Sequence, residues 1–213
     1  MLTPAQAHPL AQPASVDSLS LYDEPDFDEV EQALADAAWE FDVPHELLAV
    51  IAHTESRWRH RPARTSAQGR SGLLQLKQQR IQLAAELLDL PSDQVRGDIV
   101  SHCRGFAALL DLQRPNASSS DPGAWRDSIA WAMDFSPGAA IAIIDRWLAM
   151  LDEGIIDRLD DGTPISIPPV AVDPNYLGLF AATAPNSCRS IDYPGAAQSL
   201  TPCNYSNASR TVG

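Results

Sequence analysis

Basic residues are the scarce class in this 213-residue chain: Lys and Arg number 15 against 28 Asp and Glu, a formal net charge of −13. Nucleic acids and anionic membrane surfaces are held by a basic footprint, so this balance argues against both as partners. Long apolar runs are missing too. No stretch reaches the roughly 18 apolar residues that a membrane-crossing helix needs, and no membrane span is expected. The opening residues MLTPAQAHPLAQPAS have neither the basic start nor the apolar core of a secretory signal, so none of the recognised types is read there. Cysteines number three. Cys188 and Cys203 leave Cys103 as the odd, buried thiol, and the tail pair is open to two readings, a disulfide in an oxidising envelope or free thiols. His102-Cys103 has no second ligand pair at a metal-binding spacing, so no metal and no cofactor are expected.

What is present suffices for a folded centre. Hydrophobic residues make up 45% of the chain, enough for one domain of ordinary size with extensions. Residues 1–25, rich in Pro, Ala, Ser and acids, read as a disordered leader. Residues 26–154 carry helical periodicity. Residues 155–213 shift to Pro, Ala, Asn, Ser and Thr and read as an extended linker or tail, with a short extended piece over Ile165–Val172 that Pro168 and Pro169 confine to an edge. Within the centre, DFDEVEQALADAAWEFD from Asp26 sets Val30, Leu34, Ala37, Ala38 and Phe41 at helical spacing, and its acidic start complements the helix dipole. Amphipathic segments follow over Lys77–Leu90 and Val95–Gln113. After the turn-rich RPNASSSDPG come a helix over Ala124–Phe135 and another that Ser136 and Pro137 open and Gly154 stops.

The informative stretch is VPHELLAVIAHTESR, Val43–Arg57. Pro44 suits a first helical turn, where its missing N–H is no loss. Leu47, Leu48, Ile51 and Glu55 then share one face, so Glu55 continues an apolar stripe. A carboxyl group in that position is partly desolvated, which disfavours its charged form and moves its pKa toward the range of a general acid at neutral pH. The plainer reading is a last-turn glutamate that is solvated or paired with Arg57, Arg59 or Arg61. The following loop weighs against it. Ser66, Gly69 and Gly72 permit tight turns, and SGLLQL puts two leucines and an amide together as a floor for a groove that grips a polymer bearing amides and hydroxyls.

Taken together, Glu55-Ser56, the aromatic Trp58, Ser66, Gly69 and Gly72-Leu73-Leu74-Gln75-Leu76 resemble the soluble lytic transglycosylase family of lysozyme-like enzymes. The family's usual wording is ES, an aromatic two residues on, then GLMQL; here Leu74 stands at the Met. The likeness covers about Phe41–Gly154. It implies a mainly α, lysozyme-like (goose-type) helical domain of about five to seven helices, with Glu55 as catalytic acid and later base. It also implies that Ser56, Ser66, Leu73, Leu74, Gln75 and Phe135 lie at the sugar subsites. Phe135-Ser136 falls where the family usually has tyrosine followed by Asn or Ser and a glycine, so the ring is kept and the hydroxyl is lost.

The implied activity is cleavage of the β-1,4 bond between N-acetylmuramic acid and N-acetylglucosamine in peptidoglycan strands, by a secreted or envelope-located monomer. Glycosidases commonly use two carboxylates, yet Asp89, Asp93, Asp98, Asp111 and Asp134 sit in no motif that sets one opposite Glu55. In the family one glutamate serves both steps, and the product is a 1,6-anhydro sugar. The alternative is a non-catalytic peptidoglycan-binding module. IDYPGA (Ile191–Ala196) and CNYSNASR (Cys203–Arg210) resemble the lead-in to a zinc-dependent N-acetylmuramoyl-L-alanine amidase domain, and such a module would deliver a neighbouring amidase. Both readings require Glu55 to open into a cleft that faces Gln75 and Phe135.

Overall fold

The computed structural model describes residues 24–115 and 120–176. The described chain is mainly helical. Its order is α1 (Phe27–Phe41), α2 (His45–Ser56), β1 (Arg70–Ser71), β2 (Leu76–Lys77), α3 (Gln78–Leu88), α4 (Ser92–Gly97), α5 (Ile99–Leu112), a 3-10 turn (Pro122–Trp125), α6 (Arg126–Ala132), α7 (Pro137–Glu153), β3 (Ile155–Arg158) and β4 (Pro164–Ile167). No helix among the described residues is long and apolar enough to cross a membrane. The cysteine pair and the amidase-like words lie outside the described residues, as does nearly all of the expected leader.

Local chemistry accounts for the helix ends. Asp26 and Glu29 form a reciprocal capping box on α1, with Asp26 accepting from the Glu29 N–H at 2.9 Å and Glu29 accepting from the Asp26 N–H at 3.1 Å. Of the expected stripe, Val30, Leu34, Ala37 and Ala38 are buried and Phe41 is half-buried. The helix packs chiefly on α5 and also touches α2. The sequence pattern runs one helix from Val95 through Gln113, but the chain breaks at Asp98. That residue leaves helical geometry and accepts a hydrogen bond from the Ser101 N–H at 2.8 Å, so it caps α5 and ends the short α4.

Leu34, Leu47, Leu48, Ile51, Leu73, Leu74 and Phe106 are fully buried in one core, each such side chain contributing on the order of 1.5–3 kcal/mol by leaving water. That core extends beyond the expected boundary at Gly154. β3 and β4 form an antiparallel hairpin, Ile155 opposite Ile167 and Arg158 opposite Pro164. Ile155, Ile165, Ile167 and Val172 are buried. Residues 155–176 therefore belong to the fold rather than to a linker. Composition concealed this because alternate residues of a two-stranded edge face water and the apolar half is only a few side chains.

Candidate functional site

α2 ends at Ser56, and Arg57 and Trp58 both take left-handed backbone, φ 55° and 63°. Consecutive left-handed non-glycine residues cost energy and mark a backbone held by its surroundings. Trp58 is held by burial, its ring edge-on to Phe27 at 5.1 Å. The turn leaves Glu55 half-buried in the last turn of α2. Burial pushes the Glu55 carboxyl above the usual carboxylate range, and the Arg70 guanidinium opposes that rise. The carboxylate makes no hydrogen bond or ion pair among the described residues. The three arginines near it in sequence turn elsewhere: Arg57 to Asp157 at 3.0 Å, Arg59 to Asp160 at 3.1 Å and Arg61 to Glu24 at 3.4 Å.

Arg70 is the residue that sequence reasoning missed. It is buried on β1, and its guanidinium lies 4.7 Å from the Phe135 ring centroid, a cation–π contact. The same group reaches the Gln75 carbonyl at 3.5 Å. Burial holds Arg70 below its ordinary value, while the charges of Glu55 and Asp134 favour its cationic form. Arg70 thus gathers Glu55, Gln75, Asp134 and Phe135 around one cation. An available signal was its place inside the glycine-bounded word Gly69-Arg70-Ser71-Gly72, next to Leu73 and Leu74.

Glu55 also opens on its other side into a cavity of about 480 Å³ between α2 and α7, shared with His53, Arg57, Ile143, Arg146 and Trp147. Trp147 meets Phe135 at 5.9 Å between centroids. A cleft at Glu55 is therefore present, but it does not face Gln75 and Phe135 as expected: neither lines it, Phe135 meets it only through Trp147, and Gln75 lies with Arg70 outside its lining. A larger cavity of about 670 Å³ between α1 and the α4–α5 junction is walled by Asp28, Glu29, Asp36 and Asp98. Glu55 is no part of that acidic hollow.

The remaining expected site residues divide by role. Gln75 takes left-handed backbone, φ 48°, and its amide N–H donates to the Gly72 carbonyl at 2.8 Å, leaving Oε1 without a partner among the described residues. The Ser56 hydroxyl donates back to the Ala52 carbonyl at 3.0 Å, within its own helix. Ser66 is a support: its Oγ accepts from the Arg70 N–H at 3.1 Å, and its own N–H donates to the Arg70 carbonyl at 2.8 Å. The expectation for Leu73 and Leu74 needs correcting. Both side chains are fully buried, so they belong to the core and do not form the expected groove floor. Apolar side chains with a core beneath them turn inward.

Two histidines hold this loop from below. His60 Nδ1 accepts from the Leu73 N–H at 3.2 Å, and its Nε2 lies 3.1 Å from the Gly97 carbonyl. His102 Nε2 accepts from the Leu74 N–H at 3.2 Å, and its Nδ1 lies 3.1 Å from the Val95 carbonyl. Since an amide must donate and a carbonyl must accept, His60 carries its proton on Nε2 and His102 on Nδ1. Each ring is neutral. Burial lowers both pKa values, that of His102 to about 3. A methyl group on Gly72 would stand 2.4 Å from His102 Cε1, and Gly72 has φ +77°, so only glycine lets the loop close on the ring. Cys103 is a buried free thiol with its pKa pushed up by burial.

No family model, no curated protein and no solved structure matches this chain.

Proposed function

We propose that this domain is a glycosidase of the lytic transglycosylase type, acting on the β-1,4 bond between N-acetylmuramic acid and N-acetylglucosamine. One observation carries the reading: Glu55 is a half-buried carboxyl without a protein partner, raised in pKa by burial, at the wall of a cavity. Such a group is protonated more readily at neutral pH than an exposed carboxyl and has somewhere to send the proton.

In the proposed first step Glu55 gives its proton to the glycosidic oxygen as the C1–O bond breaks, and the carbonyl oxygen of the sugar's own N-acetyl group bonds to C1. In the second, the muramyl 6-hydroxyl attacks C1, the acetamido oxygen departs and the Glu55 carboxylate takes the hydroxyl proton. The 1,6-anhydro sugar is released with Glu55 protonated again. Arg70 supports this cycle because its charge stabilises the carboxylate that exists between the two steps. Gln75 Oε1 is a free acceptor for a sugar N–H or O–H.

A second reading is favoured by Phe135, whose ring lies between Arg70 and Trp147 and brings no hydroxyl to the centre. On that reading the groove binds wall strands without cutting them. Digestion of purified peptidoglycan by the wild type and by Glu55→Gln, with mass spectrometry of the soluble products, separates the two. Anhydro-muropeptides from the wild type alone support transglycosylation, reducing ends mean hydrolysis, and retained binding with no product leaves a binding module.

A further inference from the structure

The cavity between α2 and α7 has a composition that proton transfer by Glu55 does not use. Arg146 lines it from α7, is exposed, and has no hydrogen-bond or ion-pair partner among the described residues. Arg57 lines it from the end of α2, already committed to Asp157 at 3.0 Å and to the Arg158 carbonyl at 3.0 Å. His53 is buried, with Nε2 facing Asp157 at 3.5 Å, while its Nδ1 is buried with no partner among the described residues. A carboxylate beside Nε2 places the proton there, so Nδ1 is a bare acceptor. Burial and the Arg57 charge hold the His53 pKa below the ordinary histidine value, which keeps the ring neutral. Between these polar groups lie the apolar Ile143, Trp147 and Met150.

A cation without a partner, a buried acceptor without a donor and an apolar wall between them describe one kind of guest. It carries a carboxylate, an N–H or O–H, and a small alkyl group. Sugar rings alone offer hydroxyls but no anion. We propose that this cavity receives a carboxylate-bearing side arm of the glycan, with Arg146 holding the carboxylate and His53 Nδ1 accepting from an N–H on or beside the arm, so that substrate choice depends on the anion. This rests on the glycosidase reading above and names what that site selects. A guanidinium is suited to the role because its planar fork can meet both oxygens of a carboxylate. The guest also acts on the chemistry: a negative charge beside Glu55 disfavours the carboxylate form, keeping the acid protonated until the glycosidic oxygen takes the proton.

Two sources supply such a guest: the lactyl carboxylate of a muramyl residue without peptide, where the neighbouring acetamido N–H is the donor to His53 Nδ1, or the terminal carboxylate of an attached peptide, where the peptide's own amide N–H is. Calorimetric binding to the full chain carrying Glu55→Gln, which prevents turnover, distinguishes them. The ligands are the N-acetylglucosaminyl-N-acetylmuramic acid disaccharide, its methyl ester, the disaccharide bearing a dipeptide with a free terminal carboxylate, and that dipeptide's amide. The expected result is that capping the carboxylate in one of the two series weakens binding by about tenfold. The series that responds identifies the source. Adding Arg146→Gln, an exposed change that leaves the core intact, should weaken the free acid by a similar factor and leave the capped ligand unchanged. Equal binding of acid and capped forms in both series would overturn the proposal while the glycan reading stands. No binding of any disaccharide would remove both.

Discussion

Glu55 is disfavoured in its charged form by its own surroundings, and replacing it tests function and stability in opposite directions. Glu55→Gln should abolish release of soluble fragments, a loss of about a thousandfold or more for a sole acid and base. The same change should stabilise the fold. A carboxyl whose pKa is raised on folding binds a proton more tightly when folded, so its contribution falls as pH rises from the unfolded value through the folded one. Gln mimics the protonated form, so at pH 7 the variant should have the higher thermal midpoint, and the difference should shrink as pH falls toward the unfolded carboxylate value. Arg70→Met removes the charge that opposes the rise. The alkaline limb of the kcat/KM profile should then move to higher pH, whereas Arg70→Lys should leave it nearly in place. Glu55 was legible in the sequence because helix periodicity is a local property. Arg70 was not, because its meaning depends on Phe135 and Gln75 arriving from other parts of the chain.

At the scale of the element, the Gly72–Gln75 loop is fixed by the two neutral histidines, and this gives it an acid limit. Both rings have lowered pKa values in the folded state. Between the unfolded histidine value of 6.5 and the folded value, about 3 for His102, the unfolded chain binds protons that the folded chain does not. Stability is therefore full above about pH 6.5 and falls as pH drops, by about 1.4 kcal/mol per pH unit for each histidine in its window. Thermal midpoints measured from pH 7 to pH 4 should show this slope, and His102→Gln should flatten it. Gly72→Ala should cost roughly 2–3 kcal/mol at any pH, since it adds strained backbone to a clash with His102. The sequence marked the loop correctly through its glycines. It hid the direction of the leucines, since a continuous apolar pair reads equally as floor or as core until the histidines that hold their amides are known.

For the whole molecule, the hairpin after Gly154 is the part that composition misplaced, and its packing makes it indispensable. It buries Ile155, Ile165 and Ile167 and brings Asp157 to Arg57 and His53 at the mouth of the cavity beside Glu55. A chain that stops at Gly154 should be less stable than one that continues to Tyr176 by roughly 4 kcal/mol or more, as the lost burial requires. Chemical denaturation of the two lengths measures the difference. The helical character of residues 26–154 was readable from periodicity alone. The hairpin was not, because two four-residue strands, the second opening on Pro164 and followed by Pro168, carry too few apolar positions to stand out from a tail.

The opposite tautomers of His60 and His102 have a use that does not depend on activity. Protonated and bare ring nitrogens resonate far apart in ¹⁵N spectra, and the two rings carry these states in mirrored positions. Together they form a built-in spectroscopic gauge beneath the loop. A ligand that reshapes Gly72–Gln75 from above would register in two imidazoles it never touches, with Glu55 and Arg70 left unaltered.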